Sequence, residues 1–454
     1  MERLSPAAAE PRLLEVLRTL RDAGHEAWVV GGAVRDLLLG REVHEWDLAC
    51  SARAEEVVRL FPRVIATGLQ HGTVTVLHER LPVEVTTYRG AGAYAGGQPR
   101  EVESVGTIEE DLVHRDLTIN ALAWDPLGGR FLDPTGGVED LRCKRVRAAG
   151  DPTARFDEDP LRTLRAVRFA SVLGFRLERS TRRAIPPFLP RFAAVAVERV
   201  RNELEKMLVG PHPRYGIELM RRTGLLAHVV PELLEGFGMR QNRWHRYDVY
   251  HHALRSLDAA PPRLAVRLAA LLHDVDKPRC AAPSPKEPGA HTFYNHEVSG
   301  AERAKEILLR LRFPTRLAEE VALLVREHQF VYTDDWSDGA VRRMLARVGR
   351  ERIDDLLAVR EADVRGRGRY VEEGLENVRA LRERVRRLEE KELALDVKDL
   401  ALGGREVMEA LGEGPSPRIG AAMRWLLGQV LENPSVNTPE GLRALLQRWE
   451  GEGA

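Results

Sequence analysis

Residues 27–47 read AWVVGGAVRDLLLGREVHEWD and decide the fold of the first part of the chain. The apolar run at 27–30 predicts a short buried strand. The pair Gly31 and Gly32 at its end allows backbone amides to approach a polyphosphate without a Cβ in the way. About a turn and a half of helix is predicted next, and then a second strand.

Two acidic residues, Glu45 and Asp47, are predicted to lie on that second strand. Residues two apart on a strand point to the same side of a sheet, so we expect the two carboxylates to converge. Paired carboxylates beside a phosphate-binding turn are what two divalent cations need for in-line nucleotidyl transfer.

The composition restricts the class of protein. A chain of 454 residues is too long for one core and predicts three or four packed units. Lys plus Arg and Asp plus Glu are equal at 69 each, so RNA would have to be bound by local basic patches. The three cysteines are far apart, and neither a secretory leader nor an apolar run of membrane-spanning length is present. We therefore expect a cytoplasmic protein without a membrane partner.

The hydrophobic spacing changes along the chain. Short β-type runs at 73–77 and 83–88 belong to a mixed pattern that extends to about residue 145. Beyond about residue 155, apolar residues recur at helical spacing. The sequence predicts an α/β head followed by a long all-helical part.

Three further segments extend the acidic site. In VEVTTYR (83–89) alternation puts Glu84 beside the acidic pair, although a structural salt bridge is its favoured role. HRDLTINA (114–121) is predicted to open a helix that presents Arg115 and Asn120 to a ribose or phosphate. In DEDPLR (157–162) a proline starts a helix, and Asp159 and Arg162 are predicted to share one face of it.

Together these motifs resemble the class II tRNA nucleotidyltransferase and bacterial poly(A) polymerase family, of the CCA-adding type. The matching segments cover residues 27 to about 205 and include GGAVRDLLLGR, TGLQHGTVTV, VEVTTYR, EEDLVHRDLTINALA, FLDPTGGVEDL, EDPLRTLRAVRFA and ERVRNELEKML. The resemblance implies an α+β fold in four parts. These are a mixed-sheet nucleotidyltransferase head (1–145), a helical neck (146–212), a helical body (213–388) and a helical tail (389–454).

The resemblance also implies an activity, which is template-independent addition of C and A to the tRNA 3′ end from CTP and ATP, with no DNA partner. Glu45 and Asp47 would hold two Mg²⁺ ions. The implied nucleotide-binding residues are Gly31, Gly32, Arg35, Arg115, Asn120, Asp159, Arg162 and Arg165. Asp159 and Arg162 would read the base, because cytosine and adenine both present a ring-nitrogen acceptor beside an amine donor. Uracil and guanine would leave buried groups unpaired, at about 1–3 kcal/mol each.

Three departures from the family pattern leave alternatives open. Glu45 stands where the family usually has Asp, and His114 stands where it commonly has Arg. The segment at 90–99 lacks the acidic residue and the arginine that complete CCA-adding enzymes generally carry there. Alternatives are therefore a CC-adding or A-adding partial enzyme, a poly(A) polymerase, or a phosphohydrolase or RNA-binding protein with an impaired head.

The helical body contains a second set of candidate ligands. These are His252, His273, Asp274, His296, His328 and Asp363. Imidazoles and carboxylates that converge in a helical bundle make a divalent-metal site of unknown metal identity, which activates water for phosphoester hydrolysis. The order of these residues resembles the HD phosphohydrolase superfamily, although Asp276 stands in place of the usual glycine. A short basic loop at 365–370 is a further candidate for phosphate contact.

Overall fold

The computed structural model describes residue 4 and residues 8–69, 72–88, 94–95, 98–99, 106–284, 291–390 and 394–449. The chain forms two compact units, residues 1–231 and residues 232–454. The first contains a mixed sheet with helices and the second is mostly helical, so the predicted α+β class is confirmed. The finer division at residues 145, 212 and 388 stays a prediction.

The strands in chain order are β1 (Ala27–Val30), β2 (Trp46–Cys50), β3 (Val64–Gly68), β4 (Thr73–His78), β5 (Leu81–Thr87), β6 (Tyr94–Ala95), β7 (Gln98–Pro99), β8 (Ala123–Asp125), β9 (Arg130–Leu132), β10 (Arg145–Val146), β11 (Arg176–Leu177), β12 (Ala281–Pro283) and β13 (His291–Phe293). The helices of the first unit are α1 (Pro11–Asp22), α2 (Gly32–Leu39), α3 (Ala54–Leu60), α4 (Ile108–Val113), α5 (Gly137–Arg142), α6 (Pro152–Glu158), α7 (Leu161–Leu173), α8 (Arg179–Ala184), α9 (Leu189–Phe192), α10 (Val197–Leu208), α11 (Pro213–Thr223) and α12 (Leu226–Val229).

The helices of the second unit are α13 (Glu232–Glu235), α14 (Val249–Ala259), α15 (Leu264–Leu272), α16 (His296–Arg310), α17 (Thr315–Glu327), α18 (Asp338–Val348), α19 (Arg350–Arg367), α20 (Val371–Glu389), α21 (Gly404–Leu411), α22 (Pro417–Glu432) and α23 (Pro439–Leu446). Short 3-10 turns cover Thr118–Asn120, Pro186–Phe188, Val397–Asp399 and Pro434–Val436.

The main sheet has the strand order β3-β4-β5-β2-β1-β8-β9. Its strands are antiparallel except for β2 and β5, which run parallel. All four residues of β1 are buried, as expected for a strand that is apolar on both faces. Because β1 pairs with the central strand β2, the turn at Gly31 lies beside the strand that carries Asp47.

Three local predictions in the first unit were wrong. Glu45 lies one residue before β2, because the strand begins at Trp46. Residues 114–121 do not open an α-helix, since α4 ends before them and only Thr118–Asn120 forms a 3-10 turn. Asp159 lies between α6 and α7 in an extended conformation, so it does not share a helix face with Arg162.

The second unit packs around α15, whose sequence LAVRLAALL is apolar on nearly all sides and is almost fully buried. Helices α14, α17 and α19 contact it, and α16 packs on α17. A separate apolar cluster joins α21, α22 and α23, with Val407, Leu426 and Leu442 at its centre. Within the described ranges, the structure contains no helix with the length and apolar content needed to cross a bilayer.

Gly137, the first residue of α5, packs against the 3-10 turn that carries Asn120. A Cβ at this position would lie 2.2 Å from the carbonyl oxygen of Thr118. We predict that Gly137→Ala destabilises the protein by about 1–3 kcal/mol, because the backbone must move to relieve the overlap. Scanning calorimetry provides the measurement.

The matched control for this change is Gly428→Ala. A Cβ at Gly428, within α22, meets nothing within 4 Å. The same chemical change is expected to stabilise that helix by about 0.5–1 kcal/mol. Equal effects of the two substitutions on the melting profile would contradict the steric argument.

Candidate functional site

A cleft of about 500 Å³ opens in the first unit. Five residues predicted for the nucleotide site line it, namely Asp47, Arg115, Asp159, Arg162 and Arg165. Glu84, Asp111, Asp116, Arg199 and Glu203 line the same cleft and were not predicted as site residues. The structure therefore brings together side chains that are more than 100 residues apart in sequence.

Carboxylates converge on one side of this cleft. Asp47 on β2 lies directly opposite Glu84 on β5 in the parallel register, so both side chains point to the same face of the sheet. Burial, followed by the negative charge of Glu84, raises the pKa of Asp47 to about 6. Carboxylates that repel each other in this way favour a bound divalent cation, which would remove the repulsion.

The positions and contacts of Glu45 and Glu84 differ from those that the sequence predicted. Glu45 is exposed, yet its charge also raises the pKa of Asp47, so the two predicted ligands are close together. The effect of Glu84 on Asp47 is larger than that of Glu45. Among the described residues Glu84 forms no ion pair, so the structural salt bridge expected for it is not found. Three carboxylates are therefore available to hold metal ions here.

The glycine pair and two arginines form the adjoining part of the site. The amide of Gly31 donates to the carbonyl oxygen of Leu122 (3.1 Å), so that amide is not available to a phosphate as the sequence suggested. Gly31 has a φ of +70°, and a Cβ there would lie 3.0 Å from an Arg115 guanidinium nitrogen. Glycine is thus required at 31 by the backbone and by Arg115. Gly32 begins α2, whose first-turn amides have no intrahelical acceptor.

Both arginines are oriented by polar partners. Arg35 donates to the Asn120 side-chain oxygen (2.7 Å) and to the carboxylate of Asp36 (2.8 Å). Arg115 donates through Nε and Nη2 to Asp111 (3.0 Å each). Because these bonds fix the guanidinium groups, their charge is held in place for an anionic ligand.

The proposed base-reading residues are buried but paired with other groups. Asp159 and Arg162 are only 7% and 6% exposed. Asp159 accepts a hydrogen bond from Arg199 (2.6 Å), and Arg162 donates to Glu158 (2.6 Å). Arg199, which comes from α10, was missed by sequence reasoning, since nothing in its local pattern shows that it reaches Asp159.

A buried ion network supports this side of the cleft. Asp116 accepts from Arg165 (2.8 Å) and from Asn120 (3.1 Å), and Glu203 accepts from Arg165 (3.3 Å) and Arg168. Burial opposes ionisation of Asp116, but the charges of Arg165 and Arg162 outweigh it and hold its pKa below the usual value. Through Asn120 this network reaches Arg35.

The second unit contains a cluster of four buried histidines. Three of them donate from Nδ1 to a carbonyl oxygen three residues earlier: His273 to Ala270 (2.9 Å), His296 to Phe293 (2.6 Å) and His328 to Val325 (2.6 Å). This bond fixes the tautomer, so in a neutral ring Nε2 carries a lone pair. All three Nε2 atoms lie within 4 Å of the Asp274 carboxylate.

His252 completes the cluster. Its Nε2 lies 3.0 Å from His273 Nε2 and 3.2 and 3.3 Å from the carboxylates of Asp363 and Asp274. Burial lowers the pKa of His252, but contacts with these two carboxylates outweigh burial and raise it.

Some polar atoms of this cluster are buried without a hydrogen-bond partner, which is expected of atoms that bind a metal ion. Asp274 Oδ1 and His296 Nε2 are buried and have no hydrogen-bond partner among the described residues. Groups of His252, His273 and Asp363, and of His273, Asp274 and His328, bring ligand atoms within 4.8 Å of one another. Nitrogen and carboxylate donors in this arrangement fit a divalent metal.

The structure adds one ligand candidate that the sequence analysis missed. His245 lies in a loop, and its ring centroid is 4.8 Å from that of His252. Burial, followed by the positive charge of Lys277, lowers its pKa to about 2, so the ring is neutral and able to bind metal. No local pattern indicates this contact, because His245 reaches His252 from a loop that precedes α14.

The histidine cluster opens into a cavity of about 220 Å³, here called the histidine cavity. Positively charged side chains also line this cavity. Lys277 donates to Asp274 (2.7 Å), while Arg360 and Arg367 donate to Asp363 (2.6 and 2.8 Å). The predicted basic loop at 365–370 is corrected here, because 365–367 form the end of α19. Most of the segment at 90–99 lies outside the described residues.

Three family models match the chain. The model for the Poly A polymerase head domain matches residues 27–147, that for the probable RNA and SrmB-binding site of polymerase A matches 174–236, and the HD domain model matches 245–368. These matches define a nucleotidyltransferase head joined to an HD domain.

Similar proteins identify the family more closely. The CCA-adding enzyme of Geobacillus thermodenitrificans is 38% identical over 306 residues, which is 65% of this chain and 76% of that protein. The CCA-adding enzyme of Lactobacillus helveticus is 48% identical over 215 residues, 47% of this chain and 54% of that protein. The chain belongs to the CCA-adding enzyme family.

A solved structure agrees with this assignment. The structure of the Bacillus stearothermophilus CCA-adding enzyme in complex with CTP matches this chain with a TM-score of 0.72 and 29% sequence identity. The match covers 97% of this chain and 98% of the Bacillus chain. The alignments with the CCA-adding enzymes of Lactobacillus helveticus and Anoxybacillus flavithermus span only about half of each relative's length, 54% and 55%.

The raised pKa of Asp47 predicts a pH-dependent metal affinity in the head. Because a proton and a cation compete for the same carboxylate, affinity for Mn²⁺ should fall about tenfold per pH unit below about pH 6. Above about pH 7 the affinity should be constant. Free Mn²⁺ measured by electron paramagnetic resonance gives the affinity.

The head contribution is isolated by comparison with Asp47→Asn, which leaves the histidine cluster intact. The difference between wild type and this variant should carry the pH dependence. A difference that stays constant from pH 5 to pH 8 would show that Asp47 does not bind the cation.

Proposed function

We propose that the chain is a tRNA nucleotidyltransferase that adds C and A to the tRNA 3′ end from CTP and ATP. The observation that carries this proposal is the pairing of Asp47 and Glu84 on adjacent strands, on the same face of the sheet, in one cleft with Arg115, Asp159 and Arg162. The CTP complex of the similar Bacillus stearothermophilus enzyme and the family assignment support the choice of substrates.

Each part of the cleft has a role in this reaction. Asp47 and Glu45, joined by Glu84, would hold Mg²⁺, which supplies Lewis acidity for attack by the RNA 3′-hydroxyl and for departure of pyrophosphate. Arg35 and Arg115 bind the triphosphate, with the first turn of α2 beside them. Arg165 and Asn120, which share Asp116, hold the nucleotide side of the cleft in position.

Base selection falls to Asp159 and Arg162. A buried carboxylate accepts from the exocyclic amine of cytosine or adenine, and a guanidinium donates to the adjacent ring nitrogen. Arg199 holds Asp159 through a 2.6 Å hydrogen bond and so fixes which way the carboxylate faces. Glu158 does the same for Arg162.

The test is incubation with tRNA lacking one, two or three terminal nucleotides, with labelled CTP or ATP. We expect incorporation of C and then A, and a loss of about a thousandfold in Asp47→Asn, because the metal supplies several kcal/mol. Asp22→Asn, which changes an exposed carboxylate at the end of α1, is the matched control.

Each alternative gives a different result in this assay. Incorporation of C alone would identify a CC-adding enzyme, and A on the last primer alone an A-adding one. Long A tracts on unrelated RNA would identify a poly(A) polymerase. No incorporation on any primer in the presence of Mg²⁺ would refute nucleotidyl transfer.

A second activity is proposed for the histidine cluster, which is metal-dependent phosphoester hydrolysis. The three lone pairs fixed toward Asp274 support it, as does the HD domain match at 245–368. The metal would lower the pKa of a bound water, and Lys277 and Arg367 would attract the phosphate. A reducing cytoplasm is proposed for the chain, in keeping with its three free cysteines.

We predict that His273→Ala abolishes hydrolysis of nucleoside 2′,3′-cyclic phosphates and leaves nucleotide addition unchanged, since the residue lies in the other unit from the cleft. His78→Ala, which removes a histidine paired with Glu15 in the first unit, is the control. Hydrolysis is followed by chromatography, after dialysis against chelator and re-addition of single metals. Loss of both activities in His273→Ala would contradict their separation.

A further inference from the structure

Exposed aromatic side chains lie at and beside the histidine cavity. Among the described residues the strongly exposed aromatic side chains are Phe237, Trp244, Tyr294 and Tyr370. Tyr294 lines the cavity, Trp244 directly precedes the lining residue His245, and Tyr370 contacts Trp244. Trp244 is 44% exposed, Tyr370 56% and Tyr294 74%. Large exposed rings grouped in one place mark a binding surface.

Trp244 is tied to the cavity by its neighbours. Its amide donates to the side-chain oxygen of Asn242 (3.2 Å), and the His245 ring contacts the same oxygen (3.0 Å). Asn242 and His245 both line the cavity. The ring of Tyr370 lies 5.0 Å from that of Trp244, and Tyr294 itself lines the cavity.

The backbone at one of these aromatics is strained. Tyr370 has a φ of +52° where α20 begins. Left-handed backbone is unfavourable for a bulky residue and is kept where a side chain must be held in one place. Tyr294 directly precedes Asn295, the residue before α16, so both tyrosines lie next to helix starts.

Positive charge accompanies the rings. The Arg243 guanidinium lies 5.1 Å from the Trp244 ring centre, and Arg369 donates to the Arg243 carbonyl oxygen (3.3 Å). Lys277, Arg360 and Arg367 line or border the cavity behind them. Aromatic rings beside basic side chains are the combination that binds unpaired nucleotides, by stacking of the base and attraction of the phosphate.

We propose that Trp244, Tyr370 and Tyr294 form a stacking subsite for an unpaired nucleobase at the entrance to the histidine cavity. The subsite would select a terminal nucleotide of single-stranded RNA, with the base on the rings and its phosphate toward Lys277 and Arg367. The proposal rests on the phosphohydrolase function proposed for this cavity. Because every base has a π face, the subsite selects a nucleotide and not a particular base.

The test compares two phosphate substrates, a nucleoside 2′,3′-cyclic phosphate and glycerol 2-phosphate, which has no base. Trp244→Ala and Tyr370→Ala should each raise KM for the nucleotide about tenfold and leave kcat and the kinetics with glycerol 2-phosphate unchanged. Trp244→Phe and Tyr370→Phe retain a ring and should restore most of the affinity. Unchanged turnover of glycerol 2-phosphate, which uses the same unit, is the folding control.

A binding measurement separates the subsite from the hydrolase function. In chelator-treated protein, a short single-stranded RNA with a 3′-phosphate should quench tryptophan fluorescence, and Trp244→Phe should lose that part of the quenching. If the wild type cleaves neither substrate but the Trp244 quenching is present, the subsite stands and the hydrolase proposal falls. Absence of that quenching would overturn the subsite, as would an equal loss of both substrates in the alanine variants.

Discussion

The nucleotide cleft depends on the compensation of one buried charge, the carboxylate of Asp116. A carboxylate removed from water is strongly unfavourable unless cations and donors surround it. Arg165 and Asn120 supply them, and Asn120 in turn accepts from Arg35 beside the glycine turn. Helix α7, which carries Arg165, and helix α2, which carries Arg35, are therefore linked through a single acidic residue. Removal of any member would leave its partners with buried unpaired groups.

The second unit also contains a buried carboxylate, that of Asp274, which is surrounded by compensating groups. Four histidines and Lys277 face this carboxylate. In the first unit arginines compensate the buried acid permanently, so that site is fixed. In the second, most of the facing groups are imidazoles, and a neutral imidazole offers a nitrogen lone pair to a metal ion. The choice of partner thus distinguishes a structural ion network from a candidate metal centre.

The sequence predicted most of the site's members but not their contacts. The continuous apolar run and the glycine pair correctly placed β1. The HD-type order singled out a set of ligand candidates, which are His252, His273, Asp274, His296, His328 and Asp363. The strand placement of Glu45 failed by one residue, because local alternation does not show where strand pairing begins. Glu84 was assigned to a salt bridge, since its parallel pairing with Asp47 is a long-range contact that no local pattern reveals.

The sequence by itself determined the α+β class, the family and the ligand types, because these depend on residue identity and on local spacing. Only the tertiary structure decided that Arg199 holds Asp159, that Gly31 is required by Arg115, and that His245 and the exposed aromatics lie at the histidine cavity. Each of these contacts joins residues from separate elements. The distances between these residues depend on packing between helices and strands, which local sequence patterns do not specify.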